Sequence, residues 1–316
     1  MQSFCVVYLC QILFVLQDIP SQKIKTSNSN LSLFLRREDL IHPFISGNKF
    51  RKLKYNLAQA KAENQEALLT FGGAFSNHIA ATAFAGKEQG LKTIGIIRGD
   101  ELESKISINP TLKFAQECGM QFKFVSRELY RHKTETEFIE NLKNEFGDFY
   151  LIPEGGTNEF AVQGCEEILS KVDSEYDFVC TAVGTGGTIS GLINSSLPHQ
   201  KVLGFPALKG DFLNNEIRKF VRKENWELIT DYHFGGYGKV NSELIGFINR
   251  FYADNQIPLD PIYTGKMVFG VMDLISANYF PINSKILLIH TGGLQGIKGM
   301  NIKLKIKNLT TIAIDV

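Results

Sequence analysis

Asp177-Phe-Val-Cys-Thr-Ala-Val-Gly-Thr-Gly-Gly-Thr-Ile-Ser-Gly191 is the stretch on which the fold turns. It begins as an unbroken apolar run, Phe178–Val183, and an apolar run without alternation is the pattern of a strand buried on both faces. It then passes through four glycines in eight residues, Gly184–Gly191, into residues that open a helix. Glycines let a backbone approach a ligand closely, and free N–H groups at a helix start attract a phosphate. A glycine-rich turn without a ligand is the plainer reading, but four glycines exceed what a strand-to-helix turn needs. No G-x-x-x-x-G-K-[ST] occurs, which excludes a Walker loop. A dinucleotide fingerprint would need glycine where Ile189 stands. The next apolar run, Val202–Phe205, leads into Pro206 and Ala207 rather than an acidic ribose partner. The stretch therefore predicts a parallel strand, a turn that holds one phosphate, and a helix.

The same alternation extends outward. Apolar runs at Leu31–Leu35, Ala67–Phe71, Thr93–Ile97, Gln121–Val125, Phe149–Ile152, Val202–Phe205 and Ile286–Ile289 predict further strands. Amphipathic stretches at Asn48–Lys61, Ser76–Gln89, Thr111–Cys118, Thr134–Phe146 and Val162–Val172 predict helices between them. Strand and helix in alternation give an α/β class with mostly parallel sheets covered by helices. Ser21–Asn30 is polar and reads as a turn. Ligand sites in such folds lie at the carboxyl ends of strands, often in a crevice between two lobes, so the polar turns after strands are where chemistry is expected.

Composition narrows the function. In 316 residues, 34 Lys and Arg face 33 Asp and Glu, a net charge of +1. That balance predicts no nucleic-acid partner. Cys5, Cys10, Cys118, Cys165 and Cys180 are odd in number and form no C-x-x-C pair, which argues against a disulfide scaffold or a zinc site. Buried thiols in a reducing compartment, hence a cytoplasmic protein with no bound metal, are the expectation. Phe4–Leu16 is almost wholly apolar, yet shorter than the roughly 20 residues of a membrane span. It has neither a basic n-region nor an A-x-A-like cleavage site, so no membrane role is expected. An ordered element packed on the body, or a start codon placed too far upstream, would account for it.

Three more turns follow predicted strands. In Arg37-Glu-Asp-Leu-Ile-His-Pro-Phe-Ile-Ser-Gly-Asn-Lys49, the loop containing Pro43 and Gly47 ends where a helix begins. Lys49 falls in the first helical turn, against the dipole, which lowers an amine pKa; a lowered pKa suits an amine that must attack a carbonyl. With Arg51, Lys52 and Lys54 as neighbours, the same residues also fit a solvated basic face. In Thr70-Phe-Gly-Gly-Ala-Phe-Ser-Asn-His78, Ser76 is a good N-cap, and the helix start with Ser76 and Asn77 could hold a carboxylate. In Ile289-His-Thr-Gly-Gly-Leu-Gln-Gly296, Thr291 sits at a strand end, where it could equally serve an ordinary turn. Gly235-Gly-Tyr-Gly238 and Asp260-Pro-Ile-Tyr-Thr-Gly-Lys266 offer Tyr237 and Tyr263.

Together these segments resemble the fold-type II pyridoxal phosphate enzymes, the tryptophan synthase β-like group, and within it the 1-aminocyclopropane-1-carboxylate deaminase / D-cysteine desulfhydrase family. The resemblance runs from about Leu33 to Gly299 and rests on REDL-x5-SGNK-x-RKL, SNH, VGTGGT, DP-x-YTGK and HTGG in that order. It implies pyridoxal 5'-phosphate as cofactor and Lys49 as the lysine that carries it. Asn77 would bond the pyridoxal hydroxyl, and Gly184, Thr185, Gly186, Gly187 and Thr188 would cradle the phosphate. Thr291 would face the ring nitrogen. Ser76, Asn77 and His78 would surround the substrate carboxylate. Tyr237, Tyr263 and Ser76 would serve catalysis beside Lys49. A large domain from residues 1–50 and 154–316, a small inserted domain at 51–153, and a homodimer are further implications.

The resemblance also bears on the reaction. A hydroxyl at the ring nitrogen makes the cofactor a milder electron sink than a carboxylate would, which suits elimination. The deaminase pattern has Glu directly after the tyrosine of the Y-x-G-K segment and Leu between His and the glycine pair, and it tends to Gln at the position of His78. Thr264, Thr291 and His78 stand there and resemble the desulfhydrase side. The expectation is a β-elimination on a small D-amino acid, giving pyruvate, ammonia and sulfide. The alternatives are deamination of 1-aminocyclopropane-1-carboxylate to 2-oxobutyrate and, in another class, a non-catalytic module that binds cofactor and amino acid.

Overall fold

The computed structural model describes residues 19–26 and 30–315; the apolar stretch 4–16 lies outside them. Ten strands are described: β1 (Ser21–Ile24), β2 (Ser32–Arg36), β3 (Ala67–Gly72), β4 (Lys92–Arg98), β5 (Gln121–Val125), β6 (Tyr150–Ile152), β7 (Phe178–Val183), β8 (Lys201–Pro206), β9 (Trp226–Leu228) and β10 (Lys285–Ile289). Six form one sheet in the order β1-β2-β10-β7-β8-β9, and four form a second in the order β5-β4-β3-β6. Every neighbouring pair is parallel except β1 with β2. The helices are α1 (Asn48–Ala62), α2 (Asn77–Gln89), α3 (Pro110–Glu117), α4 (Thr136–Phe146), α5 (Glu159–Glu166), α6 (Gly187–Ser195), α7 (Phe212–Arg218), α8 (Ser242–Asn255), α9 (Thr264–Ser276) and α10 (Gly296–Ile306).

The continuous apolar runs are strands covered on both faces. In β10, Ile286 and Leu288 enter one core cluster with Leu33, Leu35 and Cys180, while Leu287 and Ile289 enter another with Val179 and Val183. Successive side chains point to opposite faces, so each cluster takes alternate residues. Two close helix crossings depend on glycine. A Cβ on Gly164 of α5 would lie 2.0 Å from the Arg51 carbonyl oxygen of α1, and one on Gly191 of α6 would lie 2.5 Å from Cys165 Cβ. α1, α5 and α6 thereby stack tightly enough to bring the starts of α1 and α6 together.

Two expectations are corrected. Ser21–Ile24, read as part of a polar turn, is an antiparallel edge strand with Ser21 opposite Arg36 and Ile24 opposite Leu33. Ser21 and Gln22 are half-buried and bonded to Arg36 and Asn255, Lys23 is exposed, and only Ile24 is fully buried, so little apolar pattern marks it. The helix expected over Val162–Val172 ends at Glu166, and a 3-10 turn follows at Lys171–Glu175, opened by a capping box on Ser170 and Asp173. The Asp173 carboxylate also pairs with Arg36 of β2, which ties that turn to the sheet.

Candidate active site

The site is built where β2, β3, β7 and β10 end. β2 is followed by Arg37-Glu38-Asp39, which acts as a buried clamp. Glu38 takes both guanidinium arms of Arg51 at 2.9 Å, and Asp39 takes Arg37 at 2.9 and 2.7 Å. The Glu38 carbonyl accepts the Gly47 N–H at 3.1 Å. Gly47, at φ +62°, lets the chain enter α1 against the β10 turn; a Cβ there would lie 2.1 Å from the Thr291 carbonyl oxygen. Asn48 N–H then donates to that same oxygen at 3.3 Å. Glu38→Ala would leave Arg51, which is 4% exposed, with only the longer contact to Glu167 at 3.7 Å. A loss of about 3–5 kcal/mol is expected in urea unfolding.

Lys49 points from this anchored first turn, with Nζ 3.2 Å from the Asn48 side-chain oxygen. Its pKa is lowered to about 7, first by burial and next by the Lys52 charge, with Cys165 and Asp260 opposing. Burial is thus the leading cause, ahead of the helix-start field expected from the sequence. Lys52 is itself lowered to about 8 by burial. Both amines hold fewer protons folded than unfolded between these values and about 10.5, so the ligand-free protein should gain stability as pH rises through that window. Melting temperatures from pH 6 to 10 should climb, and the climb should be shallower in Lys49→Met.

The solvated basic face is corrected here. Arg51 and Lys52 are 4% and 2% exposed, and Lys54 is paired with Glu167 at 2.7 Å. Lys52 lies one helical turn from Lys49 and donates to the Gly155 carbonyl at 3.0 Å and Thr157 Oγ1 at 2.9 Å. Its ammonium is 3.1 Å from where a Cβ of Gly187 would stand. That places a cation beside the turn after β7. In that turn Gly186 is left-handed at φ +89°, and α6 begins without a side-chain cap, so its first N–H groups lack intrahelical partners. Thr185 Oγ1 meets Thr157 Oγ1 at 2.5 Å, and Thr188 Oγ1 accepts from Asn48 Nδ2 at 2.8 Å. Side chains at 184, 186 or 187 would fill this cradle; a Cβ on Gly184 would sit 3.2 Å from the Tyr263 ring. Free N–H donors, a glycine-lined hollow and a buried ammonium fit a phosphate. Asn48, Lys52 and Thr157 were missed from the sequence, although the i, i+3 spacing of Lys49 and Lys52 puts both on one helix face.

The loop after β3 turns back over the same region. Ser76 caps α2, its Oγ accepting the Ile79 N–H at 3.3 Å. Asn77 Oδ1 accepts from Gln295 at 3.0 Å, and its Nδ2 packs on Gly293 of the β10 turn. His78 departs from expectation. Its ring is 1% exposed, and Nε2 bonds Thr70 Oγ1 at 2.8 Å, a hydroxyl that donates in turn to the Ile152 carbonyl. Nδ1 is buried and unpartnered, and burial holds the imidazole pKa well below its ordinary value. The His78 side chain is therefore neutral and turned into the small sheet. What it offers an anion is its backbone N–H in the first turn of α2.

The remaining groups close the site. Asp260 accepts the N–H groups of Ile262, Tyr263 and Thr264 at 2.8–2.9 Å and so fixes the start of α9. Thr264 and Thr291 hydroxyls face each other at 3.4 Å. Tyr263 and Tyr237 meet edge to face, ring centres 6.1 Å apart. Lys266 is 2% exposed and holds the Tyr237 turn by donating to the His233 and Gly236 carbonyls at 2.8 and 2.9 Å. Desolvation and Tyr237 raise the Tyr263 phenol well above its ordinary value, so it keeps its proton.

Comparison with known proteins identifies the family. The profile of the family described as "Pyridoxal-phosphate dependent enzyme" matches residues 16–292. A Pyrococcus horikoshii protein named provisionally as a 1-aminocyclopropane-1-carboxylate deaminase is 32% identical over 84% of this chain and 85% of its own. The bifunctional D-cysteine desulfhydrase/1-aminocyclopropane-1-carboxylate deaminase of Arabidopsis thaliana is 28% identical over 84% of this chain and 73% of its own. A solved structure titled as an ACC deaminase homologue superposes with a TM-score of 0.78 at 28% identity, covering 95% of this chain and 98% of that one. The chain therefore belongs to the pyridoxal-phosphate dependent enzyme family, in its 1-aminocyclopropane-1-carboxylate deaminase and D-cysteine desulfhydrase group.

Proposed function

We propose that the protein is a lyase that removes the β-substituent of a small D-amino acid, D-cysteine by preference, and releases pyruvate, ammonia and sulfide. The observation that carries this reading is Lys49, an amine with a pKa of about 7 set between the phosphate cradle and the carboxylate loop. When bound, pyridoxal phosphate supplies the electron sink for cleavage at the α-carbon. The N–H groups of Gly184–Thr188, with Lys52, would hold its phosphate, and Asn77 Nδ2 would bond its ring hydroxyl. The Thr291 hydroxyl, beside Thr264, would be a neutral partner for the ring nitrogen. The Ser76 hydroxyl and the N–H groups of Asn77 and His78 hold the substrate carboxylate. Lys49 Nζ takes and returns the α-proton, because at neutral pH it can do both. Tyr263 holds its proton and serves as a hydrogen-bond donor rather than as the base; Tyr237 covers the reacting face.

The names of the Arabidopsis relative and of a Klebsiella pneumoniae relative, D-cysteine desulfhydrase, support the reading. Offering D-cysteine and 1-aminocyclopropane-1-carboxylate separately tests it. Pyruvate with sulfide is the expected result. 2-Oxobutyrate from the second substrate alone would replace the reading with the deaminase, and no product from either would favour a binding module. The domain division at residues 51 and 153 belongs to the same proposal, supported by the fact that β3 to β6 all fall inside it. So does a cytoplasmic setting, supported by the free thiols Cys118, Cys165 and Cys180. Among the described residues no helix is long and apolar enough to cross a membrane. A homodimer, implied by the family resemblance, is checked by light scattering.

A further inference from the structure

The carboxyl ends of β3, β4, β5 and β6 form one edge of the small sheet, the edge at which parallel sheets bind ligands. β3 leads into the loop with Ser76 and Asn77. The other three lead into charge. β4 ends on Arg98, β5 is followed by Arg127, Tyr130, Arg131 and Lys133, and β6 by Glu154. These six side chains line a cavity of about 230 Å³. Arg127 is paired with Glu101, and Lys133 with Glu154 at 3.3 Å. Arg98 and Arg131 have no carboxylate partner among the described residues; the Arg98 guanidinium lies 5.8 Å from the centre of the Tyr130 ring. Tyr130 is 3% exposed; its buried hydroxyl makes no hydrogen bond within 3.5 Å, and it lies beside the Glu154 carboxylate.

The cavity adjoins the site already described. A Cβ on Gly73, in the loop after β3, would be 3.9 Å from Arg98 Nη2. Arg98 and Glu154 also lie within electrostatic reach of Tyr237. The volume is too small for a nucleotide and suits one small anionic group. We propose that this cavity is a second anion subsite, which receives a carboxylate, sulfonate or phosphate carried on the side chain of the amino-acid substrate. An amino acid or analogue that carries a second, side-chain anion then binds more tightly than one with a single carboxylate, the first anion held by the Ser76–His78 loop and the second by Arg98, Arg131 and the Tyr130 hydroxyl. The inference rests on the reading of the Ser76–His78 loop as the α-carboxylate site.

Binding to the holoenzyme tests it without turnover. Titration calorimetry would compare 3-phosphonopropionate, with an anion at each end, and butyrate, of similar length with one anion. The two-anion ligand should bind at least about tenfold more tightly. Arg98→Gln should bring that ratio close to one, with Arg131→Gln and Tyr130→Phe each removing part of it. Equal affinities in the unaltered enzyme, or a ratio that survives Arg98→Gln, would overturn the subsite. The two readings fail separately. If D-cysteine and 1-aminocyclopropane-1-carboxylate both give no product while the ratio and its loss in Arg98→Gln persist, the lyase reading fails and the subsite stands. If product forms but the ratio is one, the subsite alone fails.

Discussion

Lys49→Ala should lower turnover by about 10⁴-fold or more and abolish the visible absorbance that the cofactor has when held by the enzyme. On the proposed reading two functions are lost with one amine: attachment of the cofactor and transfer of the α-proton. No neighbour replaces it. Lys52 is on the same face of α1, but its ammonium is committed to the Gly155 carbonyl and Thr157. Tyr263 holds its proton too tightly to act as a base. The fold should survive the change, because Lys49 contributes one hydrogen bond to Asn48 and its burial disfavours the charged form. The ligand-free Lys49→Ala protein should therefore melt no lower than the parent at pH 6–7. Retained activity with retained absorbance would sink the assignment of Lys49; a collapsed melting temperature would mean that the lost activity reports folding instead.

Much of this was legible in the sequence because the signals were local. Phe178–Val183 is bounded correctly, since a strand buried on both faces is an uninterrupted apolar word, and so is Gln121–Val125, a half-exposed edge strand whose Gln-Phe-Lys-Phe-Val alternation marks it. The Gly184–Thr188 turn and the Lys49 position followed from glycine spacing and helix start, both fixed within a few residues. What was not legible depended on distant partners. Ser21–Ile24 becomes a strand only because β2 offers it an edge. Lys52 looked like one more surface lysine, and only the crossing of α1 with α5, allowed by Gly164, buries it beside the phosphate turn. His78 reads as a site residue beside Ser76 and Asn77, yet residue 78 of a helix that starts at 77 is already rotated toward the sheet. Thr70, eight residues earlier, claims its ring. The REDL motif is of the same kind: its carboxylates touch no ligand site and instead hold Arg37 and Arg51, which aligns the helix that carries Lys49.

Lys52→Met should weaken cofactor binding by about 10²–10³-fold, measured by titrating the ligand-free protein with pyridoxal phosphate. Removing one member of a buried, hydrogen-bonded charge pair costs on the order of 2–5 kcal/mol, and here the member left behind is the phosphate. The backbone N–H groups of Gly184–Thr188 would still bind it, so affinity should fall without vanishing. A guanidinium is a poor substitute, because the ammonium already sits where a Cβ on Gly187 would be only 3.1 Å away; Lys52→Arg should therefore recover little. A second consequence separates electrostatics from packing. The Lys52 charge is the second cause of the lowered Lys49 pKa. Without it, the Lys49 amine should titrate higher, and less of it would be neutral at pH 7. The acid limb of the pH–rate profile, taken at saturating cofactor, should then move to higher pH in Lys52→Met. An unchanged limb with weakened binding would confine Lys52 to the phosphate; an unchanged affinity would remove it from the cradle altogether.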